Sequence, residues 1–282
     1  MPSSGPFELP DHVQSIVRPL SKRLVVNRRG STVWDVRTAA GRFAVKLGYR
    51  SQTHAWTALA PAREAAVLRQ LIGPDGIHCG EWEEGTWSAQ PWHEGPSLFT
   101  LWEPHRQAGG PAAPNPEEAL SCALALAELH AAGWVHGDVQ PNHFVIGPTR
   151  TTLIDLALAQ GGTVPESYDF SYRGCLVHYE APEISQSILE IGTAVPTTEA
   201  DVYALGASLF ISATGWRHVS YPDDASREDQ RQAIVDQPHR RITVPGPLGR
   251  LIEQMMRRNP ADRPTSEEVC AELRSAFRTD RP

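Results

Sequence analysis

Two aspartates and one lysine have side chains that could take part in chemistry. Asp138 and Asp155 lie on either side of a predicted hairpin, in which the short runs FVI and TTLID flank the turn GPTR. Lys46 ends an apolar strand in RFAVKLG, and Lys22 is the only other lysine in the chain. A lone aspartate is ordinarily a turn or cap residue and a lone lysine a surface residue, so the surrounding pattern must decide.

The segment WVHGDVQPNHFVI, followed after the hairpin by LIDLALA, resembles the catalytic loop and the metal-binding segment of the protein kinase family. The resemblance implies that Asp138 is the catalytic aspartate, which takes the proton of the attacking hydroxyl, and that Asp155 binds metal. Lys46 in FAVK matches the lysine that contacts the nucleotide phosphates, and Glu64 in AREAAVL matches the helical glutamate that orients it. ATP and Mg²⁺, or Mn²⁺, are the implied cofactors.

Two further segments correspond to the nucleotide site of that family. QPWHEGPSLF resembles the connection between the lobes, which implies that Gln90 guards the adenine pocket and that the backbone of Pro91, Trp92 and His93 contacts the base. The glycine-rich loop is reduced to NRRGSTVW, in which Gly30 is the only glycine. Because glycine lets the backbone approach a phosphate closely, phosphate contacts would otherwise fall to the side chains of Arg28, Arg29, Ser31 and Thr32.

The catalytic loop departs from the family pattern at several positions. His143 stands where the family has a metal-binding asparagine, with Asn142 one residue before it. An imidazole implies one metal ion rather than two, a softer ion such as Mn²⁺, or a histidine that only hydrogen-bonds to Asp138. Gln140 replaces the lysine that commonly stabilises the transferring phosphoryl group, which predicts slower or differently assisted chemistry. Gly137 replaces an arginine that reads phosphorylation of the activation loop, so we do not expect control by that route.

Three more matches to the family are structural and bear on the acceptor. Glu183 in YEAPE and Arg263 in NPADRP match a buried charge pair, and Asp201 in EADVYALG matches the aspartate that steadies the catalytic loop. Small-molecule kinases such as the aminoglycoside phosphotransferases share the His-Gly-Asp loop but resemble this chain less in these features. We therefore expect a peptide or protein acceptor, phosphorylated on serine or threonine.

Three hypotheses about function stay open on the sequence alone. The first is an active, atypical kinase, and its Gln-Pro-x-His loop resembles kinase-like enzymes of lanthipeptide-type peptide modification, in which a separate lyase would be a partner. The second is a pseudokinase that binds a peptide or protein without catalysis, suggested by the changes at Gly30, Gln140 and His143. The third is a small-molecule kinase, suggested by His-Gly-Asp.

The elements that must position these residues form an α+β pattern. LVVN, TVWDV, RFAVKLG and TWSAQPW predict an antiparallel amino-terminal sheet, and HAWTALAPAREAAVLRQLI predicts one helix with Pro61 at a start or kink. PEEALSCALALAELHAAGW predicts a central helix, QAGGPAAPNP a surface loop, and the remainder is mainly helical. We predict a single two-lobed protein-kinase-like domain over residues 1–282, with a small sheet lobe at 14–90 and a larger helical lobe at 91–282.

Composition argues against other classes of partner. The formal net charge is −7 without a long basic block, which disfavours nucleic acid. No apolar run approaches the ~20 residues that span a bilayer, and the start MPSSGPFELPDH lacks the features of a secretory signal, so we expect a cytoplasmic protein that does not bind membranes. The four cysteines lack metal-ligand spacing.

Overall fold

The computed structural model describes residues 8–50, 55–107 and 114–279, which divide into two compact units. The first contains the described residues up to His93, together with Leu156–Leu158 and Gly162–Phe170. The second contains Glu94–Asp155, Ala159–Gly161 and the described residues from Ser171 onward. The lobe limits expected from the sequence, 14–90 and 91–282, stay a prediction.

An antiparallel sheet forms the first unit, as the sequence predicted. Its strands are β1 (Ser21–Arg28), β2 (Ser31–Thr38), β3 (Gly41–Gly48), β4 (His78–Trp82) and β5 (Gly85–Pro91), in the order β1-β2-β3-β5-β4. The apolar runs identified in the sequence account for every strand except β4. Its sequence, HCGEW, carries no β-branched residue and a central glycine, so it has little intrinsic strand preference.

Two helices accompany this sheet, where the sequence predicted one. α1 (Asp11–Val17) was missed, and α2 (Ala60–Ile72) begins after a short 3₁₀ turn at Ala55–Ala58. Pro61 lies in the first turn of α2, where the missing N–H removes no helical hydrogen bond. The main apolar cluster of the unit joins the start of the chain to the sheet and consists of Leu9, Val13, Trp34, Val36, Val45, Leu47, Trp87 and Ala89.

The second unit is mainly helical, which confirms the predicted fold class. Its helices are α3 (Leu98–Leu101), α4 (Glu103–Gln107), α5 (Pro116–Ala131), α6 (Pro182–Ile191), α7 (Thr198–Thr214), α8 (Arg227–Asp236), α9 (Gly246–Met255) and α10 (Ser266–Thr279). The predicted hairpin is present as β6 (Phe144–Ile146) and β7 (Thr151–Leu153). The predicted loop QAGGPAAPNP lies mostly outside the described residues.

Local sequence explains where the two long helices of this unit begin. The side chain of Asn115 caps α5 by accepting a hydrogen bond from the Glu117 N–H, and Pro116 takes the first helical position. Thr197 caps α7 in the same way, and most residues of α7 are buried, so it forms the centre of the unit. Within the described part of the chain, no helix combines the length and apolar character needed to cross a membrane.

Two histidines, from the loops after α7 and α8, pack against Tyr203 of α7. His218 is 1% exposed, and burial, reinforced by nearby His239, lowers its pKa to about 3. The Nε2 atom of His239 is 2.8 Å from the Tyr203 hydroxyl, and burial lowers the pKa of His239 to about 4. Both imidazoles are therefore neutral in the folded chain at neutral pH.

We expect this group to make the fold sensitive to acid. In the unfolded chain His218 has an ordinary pKa of about 6.5, so it binds a proton below that pH while the folded chain does not. Protonation of His218 in the unfolded chain should therefore lower the free energy of unfolding by about 2 kcal/mol between neutral pH and about pH 5. Urea unfolding at the two pH values should show a smaller loss for His218→Phe than for the wild type, and the same loss as wild type for His12→Phe, at an exposed position. An equal loss in His218→Phe would contradict the assignment.

Candidate active site

A single buried carboxylate holds the loop that carries Asp138. Asp201, in the first turn of α7, is 2% exposed. Its carboxylate accepts the backbone N–H of His136 at 2.6 Å and that of Gly137 at 2.9 Å. The Nε2 atom of His130 is a third neighbour, at 3.1 Å. The backbone just before Asp138 is therefore fixed to the central helix of its unit, which is the role that the resemblance implied.

His136 connects the two ends of the catalytic segment. Its Nδ1 atom accepts the backbone N–H of Asp138 at 3.1 Å, so the proton of the neutral ring lies on Nε2, which donates to the Ile154 carbonyl at 3.1 Å. Burial lowers the pKa of His136 to about 4, and the ring is neutral at physiological pH. The turn that carries Asp138 is thereby joined to the residue before Asp155.

The Asp138 carboxylate is largely enclosed and is held by a hydrogen bond. Its side chain is 15% exposed, and Gln140 Nε2 donates to Oδ1 at 2.6 Å. Burial raises the pKa of Asp138 to about 6, with Asp155 adding to the rise and His143 and the Gln140 hydrogen bond opposing it. A carboxylate of this kind is ionised at neutral pH and is more basic than an ordinary aspartate, which suits a proton acceptor.

His143 lies beside both aspartates, and its orientation decides what it can bind. Its Nδ1 atom is 2.8 Å from the backbone oxygen of Asp138, which only a protonated Nδ1 can satisfy. The other ring nitrogen, Nε2, is 3.4 Å from Asp155 Oδ2. One ligand atom from each of Asp138, His143 and Asp155 lies within 4.8 Å of the others. This nitrogen and oxygen donor set fits a divalent ion such as Mn²⁺ or Mg²⁺.

The structure does not bring Asn142 to this group. Its side chain is exposed, and its Oδ1 atom accepts a hydrogen bond from Ser97 Oγ at 3.0 Å. Asp138, Gln140, His143 and Asp155 are the predicted site residues of the second unit that lie together.

The predicted pair in the first unit is formed. Lys46 Nζ is 2.8 Å from Glu64 Oε1 and 2.7 Å from Oε2, and the two side chains are 13% and 1% exposed. Glu64 Oε1 also accepts the backbone N–H of Leu156 at 3.3 Å, and the neighbouring Arg63 donates to the Ala157 carbonyl at 2.7 Å. Glu64 and Arg63 are adjacent in α2. They therefore bind Leu156 and Ala157, the two residues that follow Asp155.

Arg63 and Gln70 extend this contact along α2, and the sequence analysis missed both. Arg63 Nε is 3.4 Å from Asp169 Oδ1, and its guanidinium lies 5.2 Å from the centre of the Phe170 ring. Gln70 exchanges two hydrogen bonds with the backbone of Thr163, at 2.6 and 3.2 Å. The only sequence signal for Arg63 was its position next to Glu64.

Gly30 is packed against the chain of its own unit. It follows Arg29 in the tight turn between β1 and β2, with φ angles of 85° and 52°. The Gly30 carbonyl accepts the Tyr49 N–H at 2.9 Å, and a Cβ atom at Gly30 would lie 2.8 Å from the Tyr49 carbonyl oxygen. Glycine is thus required by a close approach of the backbone, and its contact with a nucleotide stays a prediction.

The residues predicted to line the adenine pocket lie at the end of β5 and directly after it. Gln90 pairs with Ala44 of β3 and is 5% exposed. Trp92 N–H donates to the Arg42 carbonyl at 2.9 Å, and the Arg42 guanidinium lies 4.5 Å from the Trp92 ring centre. His93 ends the first stretch of chain that belongs to the first unit. Their roles at a nucleotide stay predictions.

Two ion pairs, each with a buried arginine, support the second unit. Arg263 binds both oxygens of Glu183, at 2.7 and 2.8 Å, as the resemblance implied. Glu180 and Arg231 form another such pair, which the sequence analysis missed. Glu180 lies inside YEAPE, next to the matched residues, but Arg231 lies in α8 without any local signal.

Comparison with known proteins agrees with this geometry. Residues 93–273 match the protein kinase domain family. Serine/threonine-protein kinase PkaA of Streptomyces coelicolor is 29% identical over 224 residues, which cover 75% of this chain and 38% of PkaA. Serine/threonine-protein kinase PknK of Mycobacterium tuberculosis is 33% identical over 201 residues, which cover 67% of this chain and 17% of PknK. The chain spans less than two fifths of the length of these relatives.

We expect Arg263→Met to destabilise the second unit strongly. The Arg263 side chain is fully buried and also donates to the carbonyls of Glu199, Arg257 and Arg258, so its removal leaves several acceptors and one carboxylate unpaired. The expected loss is about 3 kcal/mol or more in the free energy of unfolding, measured by urea denaturation. Arg257→Met, on a neighbouring exposed arginine, should change it by less than about 1 kcal/mol. Equal effects of the two substitutions would contradict this account.

Proposed function

Because this chain belongs to the protein kinase family, we propose that it transfers the γ-phosphoryl group of ATP to a serine or threonine hydroxyl of a peptide or protein. The observation that carries the proposal is the Asp138, His143 and Asp155 group, whose ligand atoms lie within 4.8 Å of one another. The relatives' names, as serine/threonine-protein kinases, support the choice of acceptor.

Asp138 would act on the acceptor. Its carboxylate would accept a hydrogen bond from the attacking hydroxyl and take the proton as the bond to phosphorus forms. The hydrogen bond from Gln140 to Oδ1 holds the carboxylate in one orientation, which reduces the ordering needed when the acceptor arrives. Gln140 is neutral, so it orients the base without supplying positive charge to the transferring group.

Lys46 would contact the phosphates of ATP, and Glu64 would orient it. Glu64 binds the lysine through a carboxylate that is almost fully buried, so the lysine is held in one place. Gln90, Trp92 and His93 are the proposed contacts of the adenine, and Gly30 is the proposed contact of the phosphates. These nucleotide contacts rest on the family resemblance.

Asp155 and the Nε2 atom of His143 would hold a divalent cation. The tautomer of His143 leaves the Nε2 lone pair on the side of Asp155, and a carboxylate with an imidazole suits Mn²⁺ better than Mg²⁺. A bound cation would supply positive charge to the phosphates of the nucleotide. Asn142 is left out of this ligand set because its Oδ1 atom accepts from Ser97.

We further propose a narrower class of acceptor, a precursor peptide. The Gln-Pro-Asn-His run at residues 140–143 resembles kinase-like enzymes of lanthipeptide-type modification, which favours a precursor peptide whose phosphate a separate lyase then removes. A pseudokinase is the second candidate. The packing of the Gly30 turn against Tyr49 favours a pseudokinase, because the turn that would contact the phosphates is bound to its own chain.

The test uses labelled ATP with Mg²⁺ or Mn²⁺ and a library of peptides with and without serine and threonine. Label that requires a hydroxyl residue and is lost in Lys46→Met would support a protein kinase. Thermal stabilisation by ATP without any transfer would favour the pseudokinase. Label that appears only on an aminoglycoside, supplied in a parallel reaction, would favour the small-molecule kinase.

We expect Asp138→Asn to abolish transfer while it leaves nucleotide binding intact. An amide cannot take the proton of the acceptor, so the rate should fall by roughly a hundredfold or more. The shift in melting temperature produced by saturating ATP should stay close to that of the wild type. Undiminished phosphorylation by the variant would exclude Asp138 as the base.

We expect His143→Asn to change the metal preference. Asparagine offers an oxygen in place of the imidazole nitrogen, so affinity should shift from Mn²⁺ toward Mg²⁺. Titration calorimetry of each ion in the presence of a non-hydrolysable ATP analogue measures this without any turnover. The matched change Asn142→Asp, in the neighbouring exposed residue, should leave the ratio of the two affinities unchanged. An unaltered ratio in His143→Asn would remove His143 from the metal site.

A further inference from the structure

The chain segment Ser171–Glu180 contacts the loop that carries Asp138 through Tyr172. The Tyr172 hydroxyl donates to the Gly137 carbonyl at 2.7 Å, and Tyr172 is only 4% exposed. Gly137 directly precedes Asp138, so the position of this segment bears on the backbone that presents Asp138.

Glu180 and Arg231 anchor that segment from the far side. Arg231 of α8 donates to both oxygens of Glu180, through Nε at 2.7 Å and through Nη2 at 3.1 Å. Glu180 also accepts the Cys175 backbone N–H at 3.1 Å and the Ser185 hydroxyl at 2.7 Å. The side chains of Glu180 and Arg231 are 0% and 9% exposed. The anchored amide of Cys175 lies three residues after Tyr172, which binds the Gly137 carbonyl.

The residues around the pair leave it little freedom to move. Arg231 Nη2 also lies 3.3 Å from the Arg173 carbonyl. Gly174 has a φ of 82°, and a Cβ atom there would lie 2.6 Å from Arg231 Nη2. Only glycine fits this combination of backbone conformation and close approach. The chain from Arg173 to Cys175 is therefore wrapped around the ion pair.

We propose that Glu180 and Arg231 are positioning residues, which hold the segment from Tyr172 to Cys175 so that the Tyr172 hydroxyl stays on the Gly137 carbonyl, next to the base Asp138. The inference rests on the proposed kinase function and extends it to two residues that do not contact the reacting atoms. Stability alone is a poor explanation for such a pair, because replacing a buried ion pair by apolar side chains of similar volume is often neutral. The Glu180 carboxylate supplies an acceptor for the Cys175 N–H, which apolar side chains would not.

The double variant Glu180→Met/Arg231→Met distinguishes a positioning role of the pair from a role in stability. It removes both charges together, so no single buried charge is left to unfold the unit. We expect a folded protein whose KM for ATP is unchanged and whose kcat is lower by roughly ten- to a hundredfold, the effect of a small misplacement at a reacting centre. Gln232→Met, the same substitution at an exposed position of α8, should keep the wild-type kcat. A double variant with the wild-type kcat would overturn the proposal.

Hydrogen exchange of the Cys175 amide tests the proposal without turnover. This amide should exchange faster in the double variant than in the wild type and in Gln232→Met, because its acceptor is lost. Unchanged exchange would refute the positioning role. If the wild type transfers no phosphate to any acceptor while the amide responds as expected, the kinase proposal fails and the mechanical link stands. A variant that is unfolded by circular dichroism would also refute it, since the pair would then serve stability.

Discussion

The catalytic loop depends on one buried carboxylate that accepts backbone N–H groups. Asp201 binds two consecutive amides of the loop, at 2.6 and 2.9 Å, in a place with almost no access to water. A carboxylate that accepts such bonds is held more strongly than a neutral acceptor, and any alternative loop conformation would leave its charge buried and unsatisfied. The conformation that presents Asp138 is therefore the one that satisfies Asp201.

Two other buried carboxylates, those of Glu64 and Glu180, also accept backbone N–H groups. Glu64 accepts the Leu156 N–H while it pairs with Lys46 in the first unit. Glu180 accepts the Cys175 N–H while it pairs with Arg231 in the second unit. In each case a buried carboxylate has a basic side chain as one partner and an amide of an irregular segment as another. Irregular segments lack the repeating hydrogen bonds of helices and strands, so side-chain acceptors must fix them.

Sequence reasoning succeeded where spacing or local composition carried the signal. Short β-branched runs predicted β1, β2 and β3, the strand-like TWSAQPW indicated β5, and the Pro-Glu-Glu start of α5 predicted a helix. Asp138 and Asp155 were identified because WVHGDVQPNHFVI and LIDLALA resemble segments of the protein kinase family, and their roles stay predictions. What could not be predicted was pairing over long distance along the chain. Arg231 is an ordinary arginine of a polar helix, and only the fold brings it to Glu180. β4 was missed because its pairing with β5 outweighs its weak intrinsic preference.

The absence of an arginine at Gly137 is consistent with how the segment after Asp155 is held. In the first unit Arg63 and Gln70 bind its backbone and the side chain of Asp169, and in the second unit Tyr172 and the Glu180–Arg231 pair fix its later part. All of these partners are side chains and backbone groups. The expectation that phosphorylation of this segment does not control the chain, drawn from Gly137, stays a prediction. A phosphate would add charge to the segment. The contacts of Tyr172 and of the Glu180–Arg231 pair hold it with groups that the amino-acid sequence itself supplies.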